Sequence, residues 1–202
     1  MAASIQIFGH SFVSRLKSFL RNEPHLHFNL NLTSLPLVQY SGYSGAKVET
    51  LRRNFTDITD FAPDIVVLLI GTNDLCQPDV DHVSVSAAIL DLIDSLLFLG
   101  NVKRVICCQI LHRRPSHSTH HHVDTTWFNN RVDETNYILS TNIQALPHGR
   151  ATFWRLKGFW SPEAQSQVFA LDGVHLSVMG QKKLYSNIRA AVVATLNNGL
   201  EI

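Results

Sequence analysis

The chain has 202 residues, 45% hydrophobic and 16% charged, with a formal net charge of +1. That length suits one domain, so residues 1–202 are read as a single unit, and a charged share below the usual quarter or so excludes a disordered chain. Near-neutral charge argues against a general nucleic-acid binder, which needs a basic face.

Ile5-Gln6-Ile7-Phe8 reads as a first core strand, which leaves no room before it for the basic start and apolar segment of a signal peptide. A helix is predicted over 12–20, a strand over 35–40 and a helix over 46–54. The run Ile65-Val66-Val67-Leu68-Leu69-Ile70 is a third strand, nearly continuous in large apolar residues, as suits a parallel strand covered on both faces. A long helix over 83–99 carries Ala88, Leu92, Leu96 and Leu99 on one stripe. Strand four is predicted over 104–110. The polar, His-rich stretch from His112 to Thr126 reads as an exposed loop. A helix over 127–143 and a strand over 151–154 follow. The last helix starts near Ser177, a favoured N-cap residue, carries Leu184, Ile188, Val192 and Leu196, and is punctuated by Gly199. No apolar run approaches the roughly 20 residues of a membrane span. The expectation is a soluble, cytoplasmic protein.

Alternating strands and helices predict an α/β sandwich with right-handed crossovers, whose ligands bind beyond the carboxyl ends of the strands. Ser11, Gly45 and Asn73 all follow predicted strands and belong on that rim. Ser11 opens a helix, where the helix N-terminus favours developing negative charge; Ser is equally a common N-cap. Asp172 and His175 stand three positions apart, close enough for a carboxylate to orient an imidazole base; a turn Asp beside a surface His would look the same. Gly45 lets a backbone N–H approach a substrate, and Asn73 brings a side-chain amide; both also favour turns. Asp74 is read as a brace for the Asn73 loop.

Cys76, Cys107 and Cys108 lack Cys-x-x-Cys spacing and read as reduced thiols. His117, His120, His121 and His122 lie on one loop with only Asp124 as a carboxylate, so a solvated loop is expected and no metal. Arg113 is a candidate contact for an anionic substrate group, with a surface salt bridge as the alternative for it and Arg114. Phe159 and Trp160 suit either pocket lining or core packing, and Trp160 is kept as a candidate substrate contact.

Together these residues resemble the SGNH hydrolase family, the GDSL-like esterases. That family carries Gly-Asp-Ser near the N-terminus, a Gly after strand two, Gly-x-Asn-Asp after strand three and Asp-x-x-His near the C-terminus. Here the blocks read Gly9-His10-Ser11, Gly45, Gly71-Thr72-Asn73-Asp74 and Asp172-Gly173-Val174-His175. The resemblance implies a three-layer α/β/α sandwich of flavodoxin-like type around a five-stranded parallel sheet. It implies Ser11 as nucleophile, His175 as general base and acid, and Asp172 as its orienting group. The Ser11 and Gly45 backbone N–H groups and the Asn73 side chain would form the oxyanion hole, with no cofactor. One position departs from the family pattern: His10 replaces the Asp before the nucleophile, and it is a candidate for tuning Ser11 or touching substrate.

The implied activity is hydrolysis of small acyl esters, acetyl-type, through an acyl-serine intermediate. The alternative is a catalytically weak or inactive binding module on the same fold, derived from a mobile-element esterase domain. The expected partner is a small-molecule ester, with no nucleic acid.

Overall fold

The computed structural model describes residues 2–115 and 123–200. Among the described residues, five strands alternate with seven helices: β1 (Ser4–Gly9), α1 (Ser11–Leu20), β2 (Leu37–Gly42), α2 (Val48–Arg53), α3 (Thr56–Phe61), β3 (Ile65–Leu69), α4 (His82–Phe98), β4 (Arg104–Cys108), α5 (Thr125–Ala145), β5 (Ala151–Trp154), α6 (Pro162–Val168) and α7 (Val178–Asn197). All neighbouring strands pair in parallel, in the order β2-β1-β3-β4-β5. This is the expected five-stranded α/β sandwich.

Strand side chains alternate between two cores. Ile65, Val67 and Leu69 of β3 join Leu16 of α1 and Ile188 of α7 on one face of the sheet. Val66 and Leu68 face the other way, toward Leu51 of α2, Ile58 of α3, Ile89 of α4 and Val132 of α5. Burial on both faces is why β3 has no polar residue.

The strand order reverses between β1 and β3: the chain leaves β1 toward β2, then crosses back to β3. Such a switch point opens a crevice at the carboxyl ends of the two strands. The two strands approach closely there. A Cβ placed on Gly9, the last residue of β1, would lie 2.1 Å from the Leu69 carbonyl oxygen. Only glycine permits that contact, and it brings the β1–α1 turn against the loop after β3.

The elements differ from the sequence reading in a few places. Leu35 has φ +46° and is exposed, so it ends a turn, and β2 begins at Leu37. The buried stripe of α4 is Val85, Ile89, Leu92 and Leu96; Leu99 lies past the last turn and is exposed. Two short helices, α3 and α6, were absent from the reading. α6 announces itself through Ser161, whose hydroxyl accepts the Ala164 N–H, and Pro162 at the first helical position. Among the described residues, no helix is long and apolar enough to cross a membrane.

Candidate active site

The β1–α1 turn presents Ser11 as the first residue of α1. The cap itself is His10, one residue earlier, and not Ser11. His10 Nδ1 accepts the Phe12 N–H at 3.3 Å, and the His10 backbone N–H donates to Leu69 O at 3.0 Å. The Ser11 hydroxyl is thereby relieved of capping. His10 is buried, and burial first, then the charges of Arg113 and His175, lowers its pKa to about 3. The ring is neutral at ordinary pH. With Nδ1 accepting, its proton belongs on Nε2.

Two loops bring the candidate oxyanion donors together. Gly45 has φ +67°, a left-handed conformation that L side chains rarely adopt, and no neighbouring atom would meet a Cβ there. The glycine is needed for the backbone, not for space. Asn73, after β3, donates from Nδ2 to the carbonyl of Ala46, the residue following Gly45, at 2.9 Å. An amide carries two N–H donors, so one remains for a substrate oxygen. Asp74 braces both loops: its Oδ1 accepts the Val48 N–H at the start of α2 at 3.0 Å. Burial raises the Asp74 pKa, and its Oδ2 has no hydrogen-bond partner among the described residues.

The third loop carries Asp172 and His175. Oδ2 of Asp172 meets Nδ1 of His175 at 2.6 Å, while Oδ1 accepts the backbone N–H groups of Val174 and His175 at 3.0 and 2.8 Å. Burial alone would raise the Asp172 pKa. The His175 ring and the two backbone donors outweigh it and hold the carboxyl at about 2. The loop is closed by a bridge between Phe169 and Leu176 and by the Ala170 N–H donating to His175 O at 2.8 Å. The Arg114 N–H donates to Gly173 O at 2.9 Å, which ties this loop to the segment after β4, and the charge of His175 acts on His10 in the β1–α1 turn.

Four sequence blocks thus meet at the β1–β3 switch point. A model of the GDSL-like lipase/acylhydrolase family matches residues 8–183. The chain belongs to that family. Like its other members, this GDSL-like acylhydrolase is a carboxylic ester hydrolase, of a family whose members work through a catalytic triad and an oxyanion hole. No curated protein sequence matches it. Solved structures of the same fold do. A GDSL-like lipase from Bacteroides thetaiotaomicron is 16% identical, with a TM-score of 0.72 over 96% of this chain and 89% of that one. A lipase/acylhydrolase from Enterococcus faecalis is 17% identical, with a TM-score of 0.69 over 95% of each chain. A catalytic mutant of an acetylxylan esterase from Geobacillus stearothermophilus is 16% identical, with a TM-score of 0.67 over 94% of each.

The remaining candidates of this acylhydrolase divide. Arg113 is buried and, among the described residues, makes no salt bridge: its guanidinium carbon lies 4.5 Å from the Phe128 ring centroid, and its charge acts on the Cys76 thiol. Arg114 reaches Gln165 O with its guanidinium, and its backbone N–H donates to Gly173 O at 2.9 Å. Trp160 donates from Nε1 to Leu156 O at 2.6 Å and meets His112 edge-on, with ring centroids 5.0 Å apart. His112 in turn pairs with Asp133 at 2.7 Å. Phe159 is core. Cys107 and Cys108 are buried free thiols, as read from the sequence, and Cys76 is only partly buried. The histidines at 117 and 120–122 lie outside the described residues. Among the described residues, no group of three or more His, Cys, Asp or Glu is arranged to hold a metal ion.

Sequence reasoning missed the supports. Asn129 of α5 clamps the Arg113 backbone from both sides, accepting its N–H at 2.8 Å and donating to its carbonyl at 3.0 Å. Asn136, seven residues on, does the same to Ile110 at 2.9 Å each way. Two asparagines two turns apart on one face of a helix were the signal available.

Proposed function

We propose that this acylhydrolase cleaves small acyl esters, acetyl-type, through an acyl-serine intermediate formed on Ser11. The reading is carried by the Asp172–His175 pair at 2.6 Å, on the rim where Ser11 opens α1. With Nδ1 held by Asp172, Nε2 is the ring nitrogen assigned to exchange protons with Ser11. In the first step Nε2 takes the Ser11 proton as Oγ bonds to the ester carbonyl carbon. The carbonyl oxygen becomes an oxyanion, met by the Ser11 and Gly45 N–H groups and the second Asn73 amide hydrogen. The carbon–alkoxide bond then breaks, and His175 gives its proton to the leaving alcohol. Water repeats the sequence on the acyl-serine, with His175 as base and then acid, and releases the carboxylic acid.

The route uses the chain's own side chains and backbone N–H groups. Among the described residues no further domain is inserted between the strands and helices, which favours an open site and short acyl groups. The acetyl preference is in keeping with the acetylxylan esterase that shares the fold. A net charge of +1 favours a small-molecule ester over nucleic acid as the ligand.

The test is hydrolysis of p-nitrophenyl acetate and butyrate by wild type against Ser11→Ala. Serine-dependent turnover, faster on acetate, is expected. Equal slow rates in both proteins would overturn the reading, since surface histidines cleave activated esters without an active site.

A further inference from the structure

Arg113 is a buried cation without a matching anion. It is 7% exposed, and among the described residues its Nε has no hydrogen-bond partner and no carboxylate forms an ion pair with it. Burying a permanent charge without a counter-charge is costly, so its position calls for an explanation. Its present neighbours do not supply an anion. Phe128 offers a ring face. Cys76 offers a thiol that burial, before any other influence, keeps protonated. Asp172, the carboxylate whose charge reaches the guanidinium, is hydrogen-bonded to His175 and forms no ion pair with Arg113, and Asp74, whose charge reaches Cys76, accepts the Val48 N–H with one oxygen.

The location is that of the candidate site. Asn129 fixes the Arg113 backbone, and the next residue hydrogen-bonds Gly173, between Asp172 and His175. Cys76, on which the Arg113 charge acts, lies on the loop that carries Asn73, its Sγ donating to Thr72 O. The positive charge is felt by both His10 and Asp172. The guanidinium, with its Nε unpartnered among the described residues, therefore lies between the Asn73 loop and the turn that carries Asp172 and His175.

We propose that Arg113 is an anion-recognition group of this site, and that among acyl groups longer than acetyl the site selects those that carry a carboxylate. The inference rests on the esterase reading above. The acyl side is chosen because a buried guanidinium suits the portion of the ester that stays on the serine until water releases it. A planar guanidinium fork matches a carboxylate in two parallel hydrogen bonds, which a lysine does not.

The experiment compares p-nitrophenyl hydrogen glutarate with its methyl ester, of equal chain length but neutral, and subtracts the Ser11→Ala rate to remove spontaneous cleavage. 4-Acetoxybenzoate carries the charge on the alcohol instead. Free glutarate is titrated separately into Ser11→Ala by calorimetry. Wild type is expected to favour the hydrogen glutarate by roughly tenfold or more in kcat/KM. Arg113→Met keeps the apolar stem over Phe128 and should collapse that ratio and abolish glutarate binding. Arg113→Lys, with charge but no fork, should give an intermediate ratio.

Serine-dependent cleavage with no preference for the anionic acyl ester, and no glutarate binding, would overturn the inference and leave the esterase reading standing. A preference confined to 4-acetoxybenzoate would overturn the acyl placement. Arg113-dependent glutarate binding without serine-dependent cleavage of any ester would support anion recognition and remove the esterase reading.

Discussion

Asp172 grips His175 twice: Oδ2 meets the ring at Nδ1, 2.6 Å away, and Oδ1 accepts the same residue's backbone N–H at 2.8 Å. The second bond fixes where the imidazole starts from, and the first fixes its rotation and tautomer. Asp172→Asn separates the two functions, because an amide oxygen still accepts the backbone bond while the amide can no longer serve as an anionic acceptor for Nδ1–H. The expected result is a kcat lower by roughly 10³–10⁴-fold with an unchanged thermal midpoint. Activity within tenfold of wild type would exclude Asp172 as the orienting group.

Asn73 has two tasks, one structural and one chemical. Its amide holds Ala46 O at 2.9 Å, and its second N–H is assigned to the oxyanion. Asn73→Ala should lower kcat by about a hundredfold or more, with a smaller change in KM, because an oxyanion donor acts mainly in the transition state. A loss confined to KM would assign the residue to ground-state binding.

His10 makes stability depend on pH. Its folded pKa is about 3, held down first by burial, then by Arg113 and His175; an unfolded histidine titrates near about 6.5. Between those values the unfolded chain binds a proton that the folded chain refuses. Stability from this group is therefore complete above pH ~6.5 and is lost as pH falls toward 3. His10→Asn keeps a side-chain acceptor for the Phe12 N–H but does not titrate. Urea melts at pH 7.5 and 5.0 should show a smaller drop in the variant than in wild type. Equal drops would place the acid sensitivity elsewhere.

Gly9→Ala tests the close approach of β1 and β3. The added methyl would lie 2.1 Å from the Leu69 carbonyl oxygen, a backbone atom that moves only with its strand. A destabilisation of roughly 1–3 kcal/mol is expected, read as a lower urea midpoint. Activity should fall as well, because Ser11 follows directly on the displaced turn. An unaffected midpoint would mean the strands part there at little cost.

The strands and long helices were legible because their signal is local: β3 is apolar throughout and β5 matches its predicted bounds of 151–154. The chemistry of Asp172 and His175 was legible because three residues span the contact they make. Contacts that cross the fold were not. Nothing near Asn129 in sequence indicates that it clamps Arg113, and nothing near Arg113 indicates that Phe128 and Cys76 enclose it. An arginine after a strand looks solvent-facing until the helix packed over it is known. His10 misled differently: Ser is the commoner cap, but the histidine ring reaches the Phe12 N–H and takes that role.

The central claim is that Ser11 is an activated nucleophile served by His175. A fluorophosphonate probe tests it directly, because the serine oxygen displaces fluoride and retains the phosphonyl group. Intact-mass and peptide analysis should find one adduct per chain, on Ser11. Ser11→Ala should take up none, and Asp172→Asn should label far more slowly. An adduct on another residue, or equal labelling of wild type and Ser11→Ala, would contradict the account.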